Sequence, residues 1–351
     1  MPRLRQNIIT QEWVVIAPGR AKRPEDFVIE KPRRAERKGP CPFCKGGDGY
    51  VNAIPQDRTE NVYSTPNKYP AFVEKISDAP VIFDQDPGIY TSLPALGGHE
   101  VIVITDHMRD ISHLSNKEIS DLIWVYRKRY LHYEKDKNVA YTMLIHNHGP
   151  EAGASIHHPH SQLFASNIIP NYIVREINGT SHYYDEKGIC VYCDMIKQEK
   201  KHKIRIIFEN DDFIAFTFYA ARFPFEVWIL PKKHEAYFEH ITDKETKALA
   251  EALKDILVRL DIKLNDPPVN YFIHTAPHKS TRDPEFDHKK GEKFYHWHIE
   301  ITPRVSKFGG FELGSGTVID VVSPEKSAEF LRKMPSVVQT GSPSFHGLNK
   351  P

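Results

Sequence analysis

All four cysteines of this chain fall in two Cys-x-x-Cys pairs, Cys41/Cys44 and Cys190/Cys193, and ten of its nineteen histidines crowd into two windows, 146–160 and 274–298. A Cys-x-x-Cys turn sets two thiolates along one edge of a tetrahedron, and structural zinc completes its shell with His or Cys from elsewhere in the fold. Because these landmarks recur in the same order in both halves, the repeat itself nominates the missing ligands. Cys41, Cys44, His107 and His158 form one expected Cys2His2 set and Cys190, Cys193, His234 and His296 the other, for two Zn2+ ions per chain. His113 and His240 follow His107 and His234 at equal spacing and compete with them; repetition alone does not choose. A redox role for the thiols is disfavoured, since neither pair sits in the strand-to-helix setting such chemistry uses.

Each half closes on His-x-His, as His158-Pro159-His160-Ser161-Gln162 and His296-Trp297-His298-Ile299-Glu300. Alternate side chains of a strand share a face, so His158, His160 and Gln162 are expected to project together. With His158 on the metal, His160 is left as a neutral imidazole able to attack phosphorus and carry a group covalently, while the Gln162 amide can donate to a phosphoryl oxygen. In the second half Glu300 takes the place of that glutamine and would repel a phosphoryl group, which leaves one active site per chain. The loop 147–155, NHGPEAGAS, has small residues that let backbone N–H groups approach phosphate oxygens. Arg20, Lys22 and Arg23 follow the strand Glu12–Ile16, where they could clamp a diphosphate.

Holding these groups in place calls for strands and two long helices. Segments 100–104 and 226–230, rich in β-branched and aromatic residues, read as strands that run into His107 and His234. Ser115-x-x-Glu118 and Thr242-x-x-Glu245 are capping boxes and predict helices near 116–135 and 243–263, the second stopped at Asn265-Asp266-Pro267-Pro268. Strands at 140–146 and 269–274 follow. Consecutive strands around one long helix in each half give an α+β class, with halves 1–180, carrying the active site, and 181–335, carrying the second zinc site. Residues 336–351, rich in Ser, Gly and Pro, are expected to be a loose tail.

Composition narrows the function classes. With 40% hydrophobic and 26% charged residues among 351, the chain is globular and not a wholly disordered or coiled-coil protein. Its 47 basic residues against 46 acidic leave no general basic footprint, so no nucleic-acid partner is expected. Apolar runs fall far short of the roughly 20 residues a membrane span needs, and Met1–Gln11 has no signal core; a soluble cytoplasmic protein without a membrane partner is expected.

These residues resemble the galactose-1-phosphate uridylyltransferase family of the histidine triad superfamily, including its plant-type ADP-glucose phosphorylase branch. The resemblance covers nearly the whole chain. It is carried by Arg20-Ala21-Lys22-Arg23-Pro24, Cys41-Pro42-Phe43-Cys44, Asn67-Lys68-Tyr69-Pro70, the His158–Gln162 run, His296-Trp297-His298 and Gly309-Gly310-Phe311-Glu312. It implies two fused histidine-triad-like halves forming an antiparallel half-barrel sheet flanked by helices. By the same resemblance His160 would form a nucleotidyl-histidine, Gln162 and Ser155 would hold phosphoryl oxygens, and Asn147 would orient the α-phosphate. Arg20, Arg23 and Asn67 would face the nucleotide, and Gly310, Phe311 and Glu312 would reach the sugar in a homodimer.

Many bacterial members lack the second Cys pair and hold their second metal through a Glu and three His, which match Glu176, His274, His296 and His298 here. The two sets share His296 and cannot both be filled; thiolates suit zinc better. The expected activity is ping-pong transfer of UMP between UDP-glucose and galactose 1-phosphate, a nucleotide sugar and a sugar 1-phosphate. The alternatives are an ADP-glucose or other nucleotide-sugar phosphorylase with the same intermediate, and a zinc-stabilised nucleotide-binding protein without turnover.

Overall fold

The computed structural model describes residues 1–18, 27–28, 40–74, 89–278 and 288–334. The chain runs through β1 (Arg3–Gln6), β2 (Trp13–Ile16), the single turn α1 (Asp48–Val51), β3 (Val62–Pro66), β4 (Gly97–Ile104), α2 (Asn116–Tyr133), β5 (Tyr141–His148) and β6 (His160–Ser166). There follow α3 (Asn171–Lys187), α4 (Val191–His202), β7 (Ile206–Glu209), β8 (Phe213–Thr217), β9 (Val227–Pro231) and α5 (Asp243–Leu264). The last elements are β10 (Val269–His274), α6 (His288–Phe294), β11 (His298–Pro303), α7 (Gly310–Ser315), β12 (Val318–Asp320) and α8 (Pro324–Arg332). Among the described residues no helix is long and apolar enough to cross a membrane.

Both capping boxes start the helices predicted for them. The hydroxyls of Ser115 and Thr242 accept from the backbone N–H of Glu118 and Glu245 at 3.2 Å, and each carboxylate accepts in return from its cap residue's N–H at 2.8 Å. Such caps satisfy donors that the first turn leaves orphaned, each worth about 1 kcal/mol. Asn265 ends α5 in the left-handed region, at φ 61°, ahead of Pro267 and Pro268.

Nine strands form one open sheet in the order β3-β4-β6-β5-β10-β11-β9-β8-β7, every neighbouring pair antiparallel. The order is nearly a palindrome. β5 and β10 meet at the centre, β6 and β11 lie outside them, then β4 and β9, so the sequence repeat becomes a two-fold arrangement within one sheet. Gln162, Ile145, Phe272 and Glu300 stand on a single row across β6, β5, β10 and β11. That register sets Val101 opposite Gln162 and Trp228 opposite Glu300, so the true repeat is offset by one residue from an alignment of 100–104 with 226–230.

Strand alternation divides the sheet's labour. Ile102, Leu144, Leu163, Tyr271, Ile273 and Ile299 point to one face and join the apolar stripes of α2 and α5 in the main core. A fully buried side chain of this size contributes about 1.5–3 kcal/mol, which makes this the stabilising face. The opposite face carries His99, His160, Gln162 and Asn147 on one side of the centre, and Asn270, His274, His298 and Glu300 on the other.

Beneath β4, Arg129 of α2 is 2% exposed; its guanidinium donates to Glu100 at 2.7 and 2.5 Å and to Asp57 at 2.7 Å, while the Tyr133 hydroxyl donates to Glu100 at 2.7 Å. β12 pairs in parallel with β2 in a separate three-stranded sheet with β1, and α7 beside it buries none of its side chains.

Candidate active site and metal centres

The two Cys2His2 sets that the repeat nominates are brought together, each with its four ligand atoms within 4.8 Å of one another. In the first, Cys41 Sγ lies 3.4 Å from His158 Nδ1, and Cys44 Sγ lies 3.2 Å from His107 Nδ1. In the second, Cys193 Sγ lies 3.4 Å from His234 Nδ1 and 3.6 Å from His296 Nδ1. Backbone carbonyls fix the tautomers. His158 Nε2 donates to the Ile104 carbonyl at 2.6 Å, His296 Nε2 to that of Pro231 at 2.9 Å and His234 Nε2 to that of Glu292 at 2.8 Å. Each Nδ1 lone pair is thereby aimed at the thiols, as in histidines that hold a metal through one ring nitrogen and donate from the other to a carbonyl. Two thiols and two such imidazoles are the donor set of structural zinc. His113 and His240 lie outside both groups, beside Asp261 and Glu235.

His158 precedes β6 instead of lying within it. Pro159 has no N–H for the ladder, so the regular strand begins at His160 and the His158 ring is free to swing to the metal group. His160 is 7% exposed, and its Nδ1 donates to the His158 carbonyl at 2.8 Å. Nε2 therefore carries the lone pair. Burial pushes the His160 pKa below its ordinary value, and the bond to His158 only partly opposes this, so the ring is neutral at physiological pH. The Phe43 ring, between the two cysteines of the first pair, packs 5.2 Å from the His160 ring and 5.9 Å from that of His158. The Cys2His2 group and the His160 imidazole are thus parts of one packed unit.

Asn147 sits at the end of β5 with its amide held from the other half of the sheet. Asn270 Nδ2 donates to Asn147 Oδ1 at 2.8 Å and to the Ala152 carbonyl at 2.7 Å, and Arg304 donates to Asn270 Oδ1. With its oxygen occupied, Asn147 has its NH2 group left to donate. The loop between β5 and β6 turns at Gly149 and Gly153, whose φ values of 82° and 89° strain any residue with a Cβ. Ser155 lies exposed on this loop. A cavity of about 160 Å³ is bordered by Asn147, Gly149, Ala154, Ser155, His148 and His158. At its base His148 Nε2 contacts Asp266 at 2.7 Å, and Nδ1 lies 3.4 Å from Asp110. Burial lowers the His148 pKa, yet the bonds to Asp110 and Asp266 outweigh it and raise the ring to about 9.

On the other side of the centre the counterpart of His160 is sealed. His298 Nδ1 donates to the His296 carbonyl at 3.1 Å, as His160 does to His158, but the ring is fully buried and stacks on Trp228 at 4.8 Å. Glu300 is paired with Arg222, which also holds Glu226. Glu176, His274, His298 and Glu300 form a third buried group, while His296 turns its Nδ1 to Cys193. Of the alternative ligand set, then, three residues gather here with Glu300, and the shared histidine goes to the thiolates.

Asn67 is adjacent to the site through His99: Asn67 Nδ2 and Gln162 Oε1 each lie 3.0 Å from His99 Nε2. Gly310, Phe311 and Glu312 open α7 on the side of the small sheet, where Glu312 caps its own helix. Arg20 and Arg23, like the tail 336–351, lie outside the described residues. Sequence reasoning missed His99, Asn270 and the Asp110–His148–Asp266 group. The two-residue period of Gly97–Ile104 places His99 on the face of Val101 and Val103, but only strand register brings it to Gln162.

Models of known families cover both halves: the galactose-1-phosphate uridyl transferase N-terminal domain matches residues 1–170 and the C-terminal domain residues 176–341. The ADP-glucose phosphorylase of Arabidopsis thaliana is 33% identical over 95% of this chain and 93% of its own. The galactose-1-phosphate uridylyltransferase of Thermotoga maritima is 30% identical over 95% and 98%. A crystal structure of the Arabidopsis ADP-glucose phosphorylase with bound ADP-glucose superimposes with a TM-score of 0.78 at 30% identity, covering 95% of this chain and 99% of that one. A uridylyltransferase structure gives 0.72 at 28% identity, covering 95% and 98%.

Proposed function

The chain belongs to the galactose-1-phosphate uridyl transferase family and is a nucleotidyltransferase acting on nucleotide sugars; from that premise we propose that His160 carries the nucleotide covalently in a ping-pong exchange. The observation that carries this reading is the His160 ring, neutral, with its Nδ1–H tied to His158 and its Nε2 lone pair without a partner among the described residues. Nε2 attacks the α-phosphorus of the nucleotide sugar. A P–N bond forms as the P–O bond to the β-phosphate breaks, and the sugar 1-phosphate leaves with the electron pair. A phosphate oxygen of the acceptor then attacks the nucleotidyl-histidine and the P–N bond breaks. The Nδ1–H bond to a backbone carbonyl steadies the ring as positive charge develops on it. Gln162 and Asn147 donate to the phosphoryl oxygens, with Ser155 closing the loop side; Arg20, Arg23 and Asn67 face the nucleotide.

Zinc in the two Cys2His2 groups would be structural, supplying folding energy and fixing His158 beside the nucleophile. The halves 1–180 and 181–335 divide the work, the first reacting and the second holding its metal. Gly310, Phe311 and Glu312 reach the sugar in a homodimer.

The donor and acceptor we favour are UDP-glucose and galactose 1-phosphate. A second reading, transfer of AMP from ADP-glucose onto phosphate, draws support from the 33% identity to the plant phosphorylase and from the second thiolate group. Incubation with UDP-glucose and separately with ADP-glucose, followed by intact-mass measurement, decides between them: a UMP adduct is expected, an AMP adduct selects the phosphorylase, and no adduct with either overturns the covalent route.

A further inference from the structure

A phosphoryl-binding glutamine is useful in only one of its two amide orientations, and β6 alone does nothing to choose between them. The choice is made on β4. His99 lies against Phe164, ring on ring at 4.0 Å and 27°, so its plane is fixed. The backbone N–H of Ala71 donates to His99 Nδ1 at 3.1 Å. A main-chain N–H has a fixed polarity, so Nδ1 must be the bare nitrogen and Nε2 must carry the ring proton. Nε2 lies 3.0 Å from Gln162 Oε1 and donates to it. With its oxygen taken, Gln162 can offer only its NH2 group to the cleft. The Asn67 amide nitrogen is also 3.0 Å from Nε2, and because Asn67 Oδ1 accepts from the Tyr69 N–H at 2.9 Å it stands there as a second donor, which leaves Gln162 Oε1 as the acceptor for the ring proton.

The sheet's internal repeat provides a control. Val101 stands opposite Gln162 as Trp228 stands opposite Glu300, and His99 precedes Val101 by the same two residues as Glu226 precedes Trp228. In the half that has Glu300, the His99 position is therefore Glu226, and the two carboxylates are joined through Arg222. Where the glutamine is replaced, the residue that orients it is replaced as well.

We propose that His99 is a positioning residue which, as the Nε2–H tautomer, locks the Gln162 amide with its NH2 group toward the transferring phosphoryl group. The proposal rests on the nucleotidyl-transfer reading above and concerns the rate of forming the His160 adduct.

Two substitutions separate the ring's two bonds. Asn places its amide oxygen near the Nδ1 position and keeps an acceptor for Ala71, but does not reach Gln162. Gln places an NH2 group near the Nε2 position and keeps the donor. His99→Asn is expected to slow adduct formation in single-turnover mass measurements by about 100-fold, the loss typical of one pre-aimed donor to a developing oxyanion, while His99→Gln stays within about tenfold of wild type on the same scale. In a Gln162→Ala background His99→Asn should change the rate by less than about twofold, because the two residues act as one unit. A side-chain 15N spectrum at neutral pH should show His99 protonated at Nε2 alone. The proposal is overturned if His99→Asn reacts at the wild-type rate, if its effect is undiminished in the Gln162→Ala background, or if the spectrum shows the proton on Nδ1. No adduct on the wild-type protein with either nucleotide sugar would instead remove the transfer reading itself, and this proposal with it.

Discussion

His148 is expected to tie stability to pH at the foot of the loop between β5 and β6. Its ring is held between Asp110 and Asp266, with about one-fifth of the side chain exposed, and its pKa is raised to about 9. In the unfolded chain the same group titrates near 6.5. A folded-state pKa above the unfolded one means that the native state binds the proton more tightly. The contribution is therefore complete below about pH 6.5 and is lost as pH rises through about 9. Two and a half pH units at 1.36 kcal/mol each give about 3 kcal/mol as the full size of the effect. The assay is urea denaturation of the zinc-saturated protein at intervals from pH 6 to 9.5, for wild type and His148→Gln. Wild-type stability should fall across that window by up to about 3 kcal/mol. The variant keeps one hydrogen bond but no charge, so it should start lower and run flatter. A wild-type curve that is level from pH 7 to 9.5, or a variant with the same slope, would show that the ring is not a cation in the folded protein.

Three further outcomes test other parts of the structure. His160→Gly should abolish nucleotide transfer while leaving zinc content and melting temperature near wild type, whereas His158→Ala should damage both; if His160→Gly kept a tenth of wild-type exchange, a loss of only about 1.4 kcal/mol, a covalent role would be untenable. Cys190→Ser should cost one of two zinc ions per chain in metal analysis and lower thermal stability sharply, while Glu176→Ala should keep both ions; the reverse pattern would move the second metal to the group around His274 and His298. Arg129→Met should destabilise by about 3–5 kcal/mol in chemical denaturation, because it strands the buried Glu100 carboxylate, and Arg129→Met combined with Glu100→Gln should recover part of that loss.

What could be read from the sequence depends on how far apart the interacting residues are and on how rare they are. The capping boxes at Ser115 and Thr242 are legible because cap and partner are three residues apart and satisfy each other locally. The Cys2His2 groupings are long-range, yet they are legible too, because cysteine is so scarce here that two Cys-x-x-Cys pairs in matching order leave few ways to complete them. His158 falls outside the strand that alternation predicts for it, because Pro159 accepts from the Ile104 N–H but has no N–H of its own to return. The Asp110–His148–Asp266 group was invisible for a different reason: it joins the segment after β4, the end of β5 and the turn after α5, and nothing in any one segment marks the other two. His99 was closer to reach. The repeat sets Gln162 against Glu300, but an alignment one residue out of register pairs Glu100 with Glu226 and so hides the second difference.

With the register supplied by the sheet, His99/Gln162 and Glu226/Glu300 become a matched pair of pairs. In the first the His99 ring meets the Gln162 amide; in the second two buried carboxylates share the Arg222 guanidinium. On the proposed reading the first pair serves a phosphoryl group and the second does not, although the same strand positions and the same His-x-His turn serve both. The asymmetry resides in two positions per half acting together: without His99 the Gln162 oxygen loses the ring nitrogen it meets, and without either carboxylate Arg222 keeps only the other.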